Sequence, residues 1–121
     1  CKFGIVICYD MVFPDVSKSF VKKGAEVLFS PSRIVKRGIY PWQLYVQVRA
    51  LENRIPILAA NVENNRYGGN SIIVDLIEND EVMVPKIIAN LKSGGSKLKE
   101  FNLKKYKKSR KTRYSDSKKF T

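Results

Sequence analysis

Cys8 is the residue best placed to do chemistry. It ends an apolar run, Phe3 to Cys8 (FGIVIC), and Tyr9, Asp10 and then Phe13-Pro14-Asp15 follow it. The carboxyl end of a buried strand, ahead of a loop and a helix, is where open α/β sheets place reactive groups. A cysteine attacks as its thiolate. A free thiol ionises near about pH 8.5, so an attacking one needs a neighbouring base or positive charge, and the start of the helix predicted from Pro14 helps if it points at the sulfur. The sequence has no histidine. Cys–His and Ser–His pairs are therefore excluded within this chain, and an activator of Cys8 must be a carboxylate or a lysine. The residues alone leave two readings open: a nucleophile, or an inert buried cysteine, which cysteine statistics favour about two to one.

Other chemistry-bearing residues divide in the same way. Asp10 either orients the loop after Cys8 or forms a turn by accepting backbone N–H groups. Arg49 and Glu52, three apart on a predicted helix, fit a structural ion pair better than substrate contact. Trp42 and Tyr45 line a pocket or, favoured about two to one, pack in the core or between subunits. Gly68-Gly69 supplies a turn, a positive φ or a close approach. Glu78, Asp80 and Glu81 lack the spacing and glycine of a calcium loop and read as a hairpin turn. Without histidine, and with Cys1 and Cys8 as the only cysteines, the usual Cys/His zinc cages are excluded. No metal or cofactor is expected.

The elements that must hold these residues follow from pattern. Phe3 to Cys8, rich in β-branched residues, and Glu26 to Ser30, Ile57 to Asn61 and Ser71 to Leu76 are short apolar runs, suited to buried strands. A helix is predicted over Pro14 to Lys23, with proline and Asp15 in its first turn and Gly24 as its stop. The strand–helix–strand spacing predicts a right-handed parallel unit. A second helix opens at Pro41, presents Leu44, Val48, Leu51 and Ile55 on one face, and is closed by Pro56. Glu81 to Asn90 returns antiparallel, and after a Ser93-Gly94-Gly95-Ser96 turn a last short strand is expected near Leu98 to Leu103. The fold class is α/β with a mixed sheet and flanking helices.

At 121 residues, 44% hydrophobic and 28% charged, the sequence suits one folded domain. No apolar run in it approaches the ~18 residues that cross a bilayer, so no membrane partner is expected. The net charge of +12 is unevenly placed: residues 1–85 hold 10 basic and 9 acidic side chains, residues 86–121 hold 13 and 2. Residues 1–103 form the expected domain and 104–121 a basic tail, read as solvated or wrapping a subunit. Its lysines and arginines with Tyr106 and Tyr114 would attract polyanions, yet the tail has no recognisable binding module, so a nucleic-acid role is the minor alternative. Cys1 opens directly onto a core strand with no cap or turn before it, and a preceding part of the fold is expected.

Gly4-Ile5-Val6-Ile7-Cys8-Tyr9-Asp10 with Phe13-Pro14-Asp15 closely resembles the nucleophile motif of the nitrilase superfamily, the carbon–nitrogen hydrolases, usually G-x-x-I-C-Y-D-x-x-F-P-E. Gly24 to Leu28 with Phe29-Ser30-Pro31-Ser32 is similar to the family's next strand and active-site loop. Arg49-Ala50-Leu51-Glu52-Asn53 is similar to its R-A-x-E-N helix, and Gly69 to Asp75 to its G-x-S-x-I-V-D strand. The resemblance covers residues 2 to about 120 and corresponds to the C-terminal part of an α-β-β-α sandwich, less than half of a family domain. It implies a thiol nucleophile at Cys8, an oxyanion held partly by the backbone N–H of Tyr9, and substrate contacts at Ser30, Pro31 and Ser32. It implies hydrolysis of a small amide or carbamoyl substrate, less readily a nitrile, through an acyl-enzyme. The family's glutamate base and lysine lie upstream of this motif, so the chain alone is expected to be inactive, and an inactive scaffold is the other alternative. A cytoplasmic homo-oligomer is the accompanying expectation. Asp15 stands where glutamate is usual, and the tail matches the family's ending only loosely.

Overall fold

The apolar runs become strands because each buries apolar side chains against helices. In the computed structural model, which describes residues 1–120, β1 (Phe3–Ile5), β2 (Val27–Ser32) and β3 (Ile57–Asn61) are parallel. Antiparallel strands β4 (Ser71–Asn79) and β5 (Val82–Leu91) complete a mixed sheet in the order β1-β2-β3-β4-β5. Helices α1 (Pro14–Lys22), α2 (Ile39–Asn53) and α3 (Lys107–Ser117) accompany it. The core lies between the sheet and the helices, where Leu28, Ile57, Val74 and Leu76 meet Val21, Trp42 and Val46. Across the sheet, Phe3, Ile5 and Phe29 are exposed, with Phe3 and Phe29 in edge-to-face contact at 5.6 Å.

Most element boundaries match the pattern, and the exceptions have physical causes. The first strand stops at Ile5 rather than Cys8. Val6 N–H still donates to the Phe29 carbonyl at 2.8 Å, but Cys8 adopts φ +50°, which extended chain does not allow. Strand β2 runs beyond Ser30 through Pro31. Phe29 turns its carbonyl toward β1, so Pro31, two residues on, turns its missing N–H to the same side, where β1 has already ended. The helix α1 ends as expected at Gly24, whose φ of +95° allows Gly24 N–H to reach the Val21 carbonyl and Ala25 N–H the Phe20 carbonyl.

The helix α2 is rotated from expectation. Leu44 and Val48 are exposed, whereas Trp42, Val46, Arg49, Ala50 and Asn53 are buried. Apolar residues occupy two adjacent faces of this helix, and Trp42, Val46 and Ala50 lie on the one that joins the core. The hairpin turn is tight, with Asp80 and Glu81 both at positive φ between paired Asn79 and Val82.

No strand forms at Leu98 to Leu103, and Leu98 is 93% exposed. Alternation there groups Lys97 and Lys99 with Phe101 and Leu103, and Leu98 with Glu100 and Asn102, so neither face is apolar throughout. The tail is not solvated along its length: it folds into α3. Tyr106 is buried and its hydroxyl donates to the Leu76 carbonyl, and buried Arg110 Nε donates to the Arg54 carbonyl at 3.0 Å. Burial pushes the Arg110 guanidinium below its ordinary pKa. Lys107, Lys108, Lys111 and Arg113 remain exposed.

Candidate active site

Because β1, β2 and β3 run parallel and β4 antiparallel, the segments after Ile5, Ser32 and Asn61 and the one before Ser71 gather at one end of the sheet. That carboxyl end is where an α/β sheet presents its loops to a ligand. Cys8 opens a 3-10 turn over Cys8–Val12, in which Asp10 N–H donates to the Ile7 carbonyl at 3.0 Å and Phe13 N–H to the Asp10 carbonyl at 3.2 Å. Tyr9 N–H precedes the first hydrogen bond of the turn, and so belongs to the N–H groups that a helical start leaves without an internal acceptor. Cys8 is a free, partly exposed thiol. Its φ of +50° is a left-handed conformation that costs a non-glycine residue about 1–2 kcal/mol.

A pocket of about 210 Å3 lies beside it, lined by Cys8, Tyr9, Met11, Val12, Ile34, Gly38, Pro41, Trp42 and Tyr45. None of these residues is a carboxylate or an amine, so the lining offers no base and no ammonium. Trp42 combines both sequence readings: it is buried in the core and also lines this pocket. Tyr45 is exposed, with the Arg49 guanidinium 5.8 Å from its ring centre. Asp10 serves the turn through its backbone carbonyl, and the Tyr9 ring projects outward onto the edge of Phe13 at 5.0 Å.

The other expected contacts do not line the pocket beside Cys8. Ser30 and Pro31 line a groove of about 530 Å3 that includes Ile5, Phe29 and Leu58 on the exposed sheet face. Ser32 lines neither this groove nor the Cys8 pocket. Ser30 and Ser32 are buried with hydroxyls that make no hydrogen bond. Among the described residues no group of three or more His, Cys, Asp or Glu could hold a metal ion, and no helix is long and apolar enough to cross a membrane.

Two positions gain a role that spacing did not reveal. Asn61 clamps the loop after β2: Ile34 N–H donates to its Oδ1 at 2.6 Å, and its Nδ2 donates to the Ile34 carbonyl at 3.2 Å and the Gly69 carbonyl at 2.8 Å. A strand-ending asparagine with a polar loop after it was the available signal. Gly69 has φ +60°, and a Cβ there would stand 2.5 Å from the Lys92 carbonyl oxygen, so both reasons for glycine apply. The Arg49–Glu52 pair forms as expected at 3.0 Å, but Arg49 also binds the Cys8 turn.

The chain belongs to the carbon-nitrogen hydrolase family, whose sequence pattern matches residues 1–77. The deaminated glutathione amidase of Bos taurus is 36% identical over 80 residues, which are 61% of this chain and 24% of that protein. The omega-amidase NIT3 of Saccharomyces cerevisiae is 35% identical over 80 residues, 61% of this chain and 28% of its own length. The crystal structure of Nit3 from the same yeast, a member of the nitrilase superfamily, superposes with a TM-score of 0.65 at 30% identity, covering 78% of this chain and 34% of that one. A mutant amidase from Nesterenkonia sp. AN1, with the acetamide moiety of fluoroacetamide added covalently at its active-site cysteine, superposes with a TM-score of 0.53 at 25% identity over 59% of this chain and 28% of that one. The chain spans about a quarter of the length of these curated relatives.

Proposed function

We propose that the polypeptide carrying this chain hydrolyses the C–N bond of small amides, with Cys8 as nucleophile. The thiolate attacks the amide carbon, and the carbonyl electrons move to oxygen, where Tyr9 N–H donates to the oxyanion. Collapse of this intermediate breaks the C–N bond, and the nitrogen leaves as ammonia or an amine after accepting a proton. Water then attacks the thioester, releasing the carboxylic acid and the thiol. Carbamoyl substrates fit the same steps, and nitriles less readily. The proton-transferring carboxylate and the ammonium come from outside this chain, in keeping with a pocket that holds neither.

One observation carries the proposal. At the carboxyl end of the sheet, Cys8 is held at φ +50°, opens a short turn and borders a pocket. A costly backbone conformation persists only where its surroundings over-determine it. The relatives named as amidases, and the covalently modified cysteine of the Nesterenkonia enzyme, support reading that conformation as presentation of a nucleophile. The test is ammonia release from a panel of small amides by the complete polypeptide and its Cys8→Ala variant. The variant is expected to lose release altogether, and undiminished release would refute the role of Cys8.

The proposal includes a homo-oligomer. Tyr40, Leu44 and Val48 follow one another at four-residue intervals along α2 and are all exposed, which gives an apolar stripe on the outer face of the helix.

A further inference from the structure

Arg49 is a buried cation, 5% exposed, in the second half of α2. All three nitrogens of its guanidinium donate: Nε to the Met11 carbonyl at 3.0 Å, Nη2 to the Val12 carbonyl at 2.8 Å, and Nη1 to Glu52 Oε1 at 3.0 Å. Met11 and Val12 end the 3-10 turn that Cys8 begins. The last carbonyls of such a turn have no following helical N–H to bind, and a five-residue 3-10 segment has poor internal hydrogen-bond geometry. The far end of the nucleophile's turn is therefore tied to α2 by a planar fork that grips two successive carbonyls.

We infer that Arg49 is a positioning residue: by holding the Met11 and Val12 carbonyls, it keeps the Cys8 turn in register and Cys8 at its left-handed φ. The inference rests on the proposed role of Cys8 and assigns Arg49 no contact with substrate. Glu52 neutralises the buried charge and aims the fork. An ammonium cannot replace it, because the task is to bridge two fixed acceptors in one plane, not to supply a positive charge. Such a strap acts on where the sulfur sits, and a displacement of about 1 Å at a reacting atom is worth about 100-fold in rate.

The experiment compares wild type with Arg49→Lys, Arg49→Met and Glu52→Gln in the complete polypeptide, with circular dichroism confirming that each is folded. Iodoacetamide alkylation of Cys8 is followed by peptide mass, so that Cys1 is scored separately, across a pH series that reaches the plateau of full thiol ionisation. A charge effect moves the pH midpoint, a displaced sulfur moves the plateau, and a purely structural role moves neither while the protein is folded. The expected result is a plateau rate altered at least about fivefold in both Arg49 variants and within about twofold in Glu52→Gln. In amide hydrolysis, kcat falls about 100-fold in the Arg49 variants with KM within about twofold. Wild-type plateau and kcat in Arg49→Lys would overturn the inference. So would a shift confined to the pH midpoint. Should Arg49→Met fail to fold, Arg49→Lys decides alone. Hydrolysis that survives Cys8→Ala would sink the nucleophile reading separately, and the alkylation series would still decide whether Arg49 sets the position of the thiol.

Discussion

Gly4 lies four residues before Cys8 on β1, under α1, and Gly4→Ala tests whether that strand is held by close packing. A Cβ built at Gly4 falls 2.7 Å from Phe20 Cγ, 2.8 Å from Phe20 Cδ1 and 2.9 Å from Leu28 Cδ2, all nearer than van der Waals contact. Relieving three such clashes in a packed core costs about 1–3 kcal/mol. Alanine restricts the unfolded chain more than glycine does and returns about 0.4–1 kcal/mol, so a net loss of about 1–2 kcal/mol is expected. With a urea slope of about 2 kcal/mol per molar, the unfolding midpoint falls by about 0.5–1 M. Phe20→Ala removes two of the three clashing atoms. In that background Gly4→Ala should cost at least about 1 kcal/mol less, well beyond the 0.3–0.5 kcal/mol within which independent sites add. An unchanged midpoint for Gly4→Ala, or equal costs in both backgrounds, would refute the packing argument.

Tyr106→Phe removes the hydroxyl that donates to the Leu76 carbonyl and should destabilise the protein by about 1–2 kcal/mol, with faster amide hydrogen exchange in β4; no change in either would mean that this hydrogen bond does not help hold the tail to β4. Leu44→Glu places a charge in the exposed stripe of α2 and should shift the assembly toward monomer in sedimentation velocity. A wild-type protein that is monomeric at every concentration would dispose of that interface.

Local chemistry was legible in the residues. Gly24 had to stop α1, because a left-handed residue ending a helix is cheapest as glycine, and Pro14 had to open it. The apolar runs at Val27 and Ile57 had to be buried, and strands joined by helices had to lie parallel and bring their loops to one end. Cys8-Tyr9-Asp10 with Phe13-Pro14-Asp15 carried the family resemblance without coordinates.

What depends on distant partners was not legible. Periodicity could not choose between two apolar faces of α2, because the choice is made by the residues of other elements, among them Leu28, Ile57 and Val74, that share the core with Val46 and Ala50. The strand of Cys8 ends three residues early, ahead of a turn gripped by Arg49, 37 and 38 residues away along the chain. Spacing showed Arg49 only its neighbour Glu52. The basic tail read as solvated or wrapping a subunit because its charges dominate its composition, yet two hydrogen bonds, from Tyr106 to Leu76 and from Arg110 to Arg54, seat it on the fold. Hydrogen-bond partners far apart in sequence leave no local pattern, so only the folded chain decided where the thiol points and what holds it there.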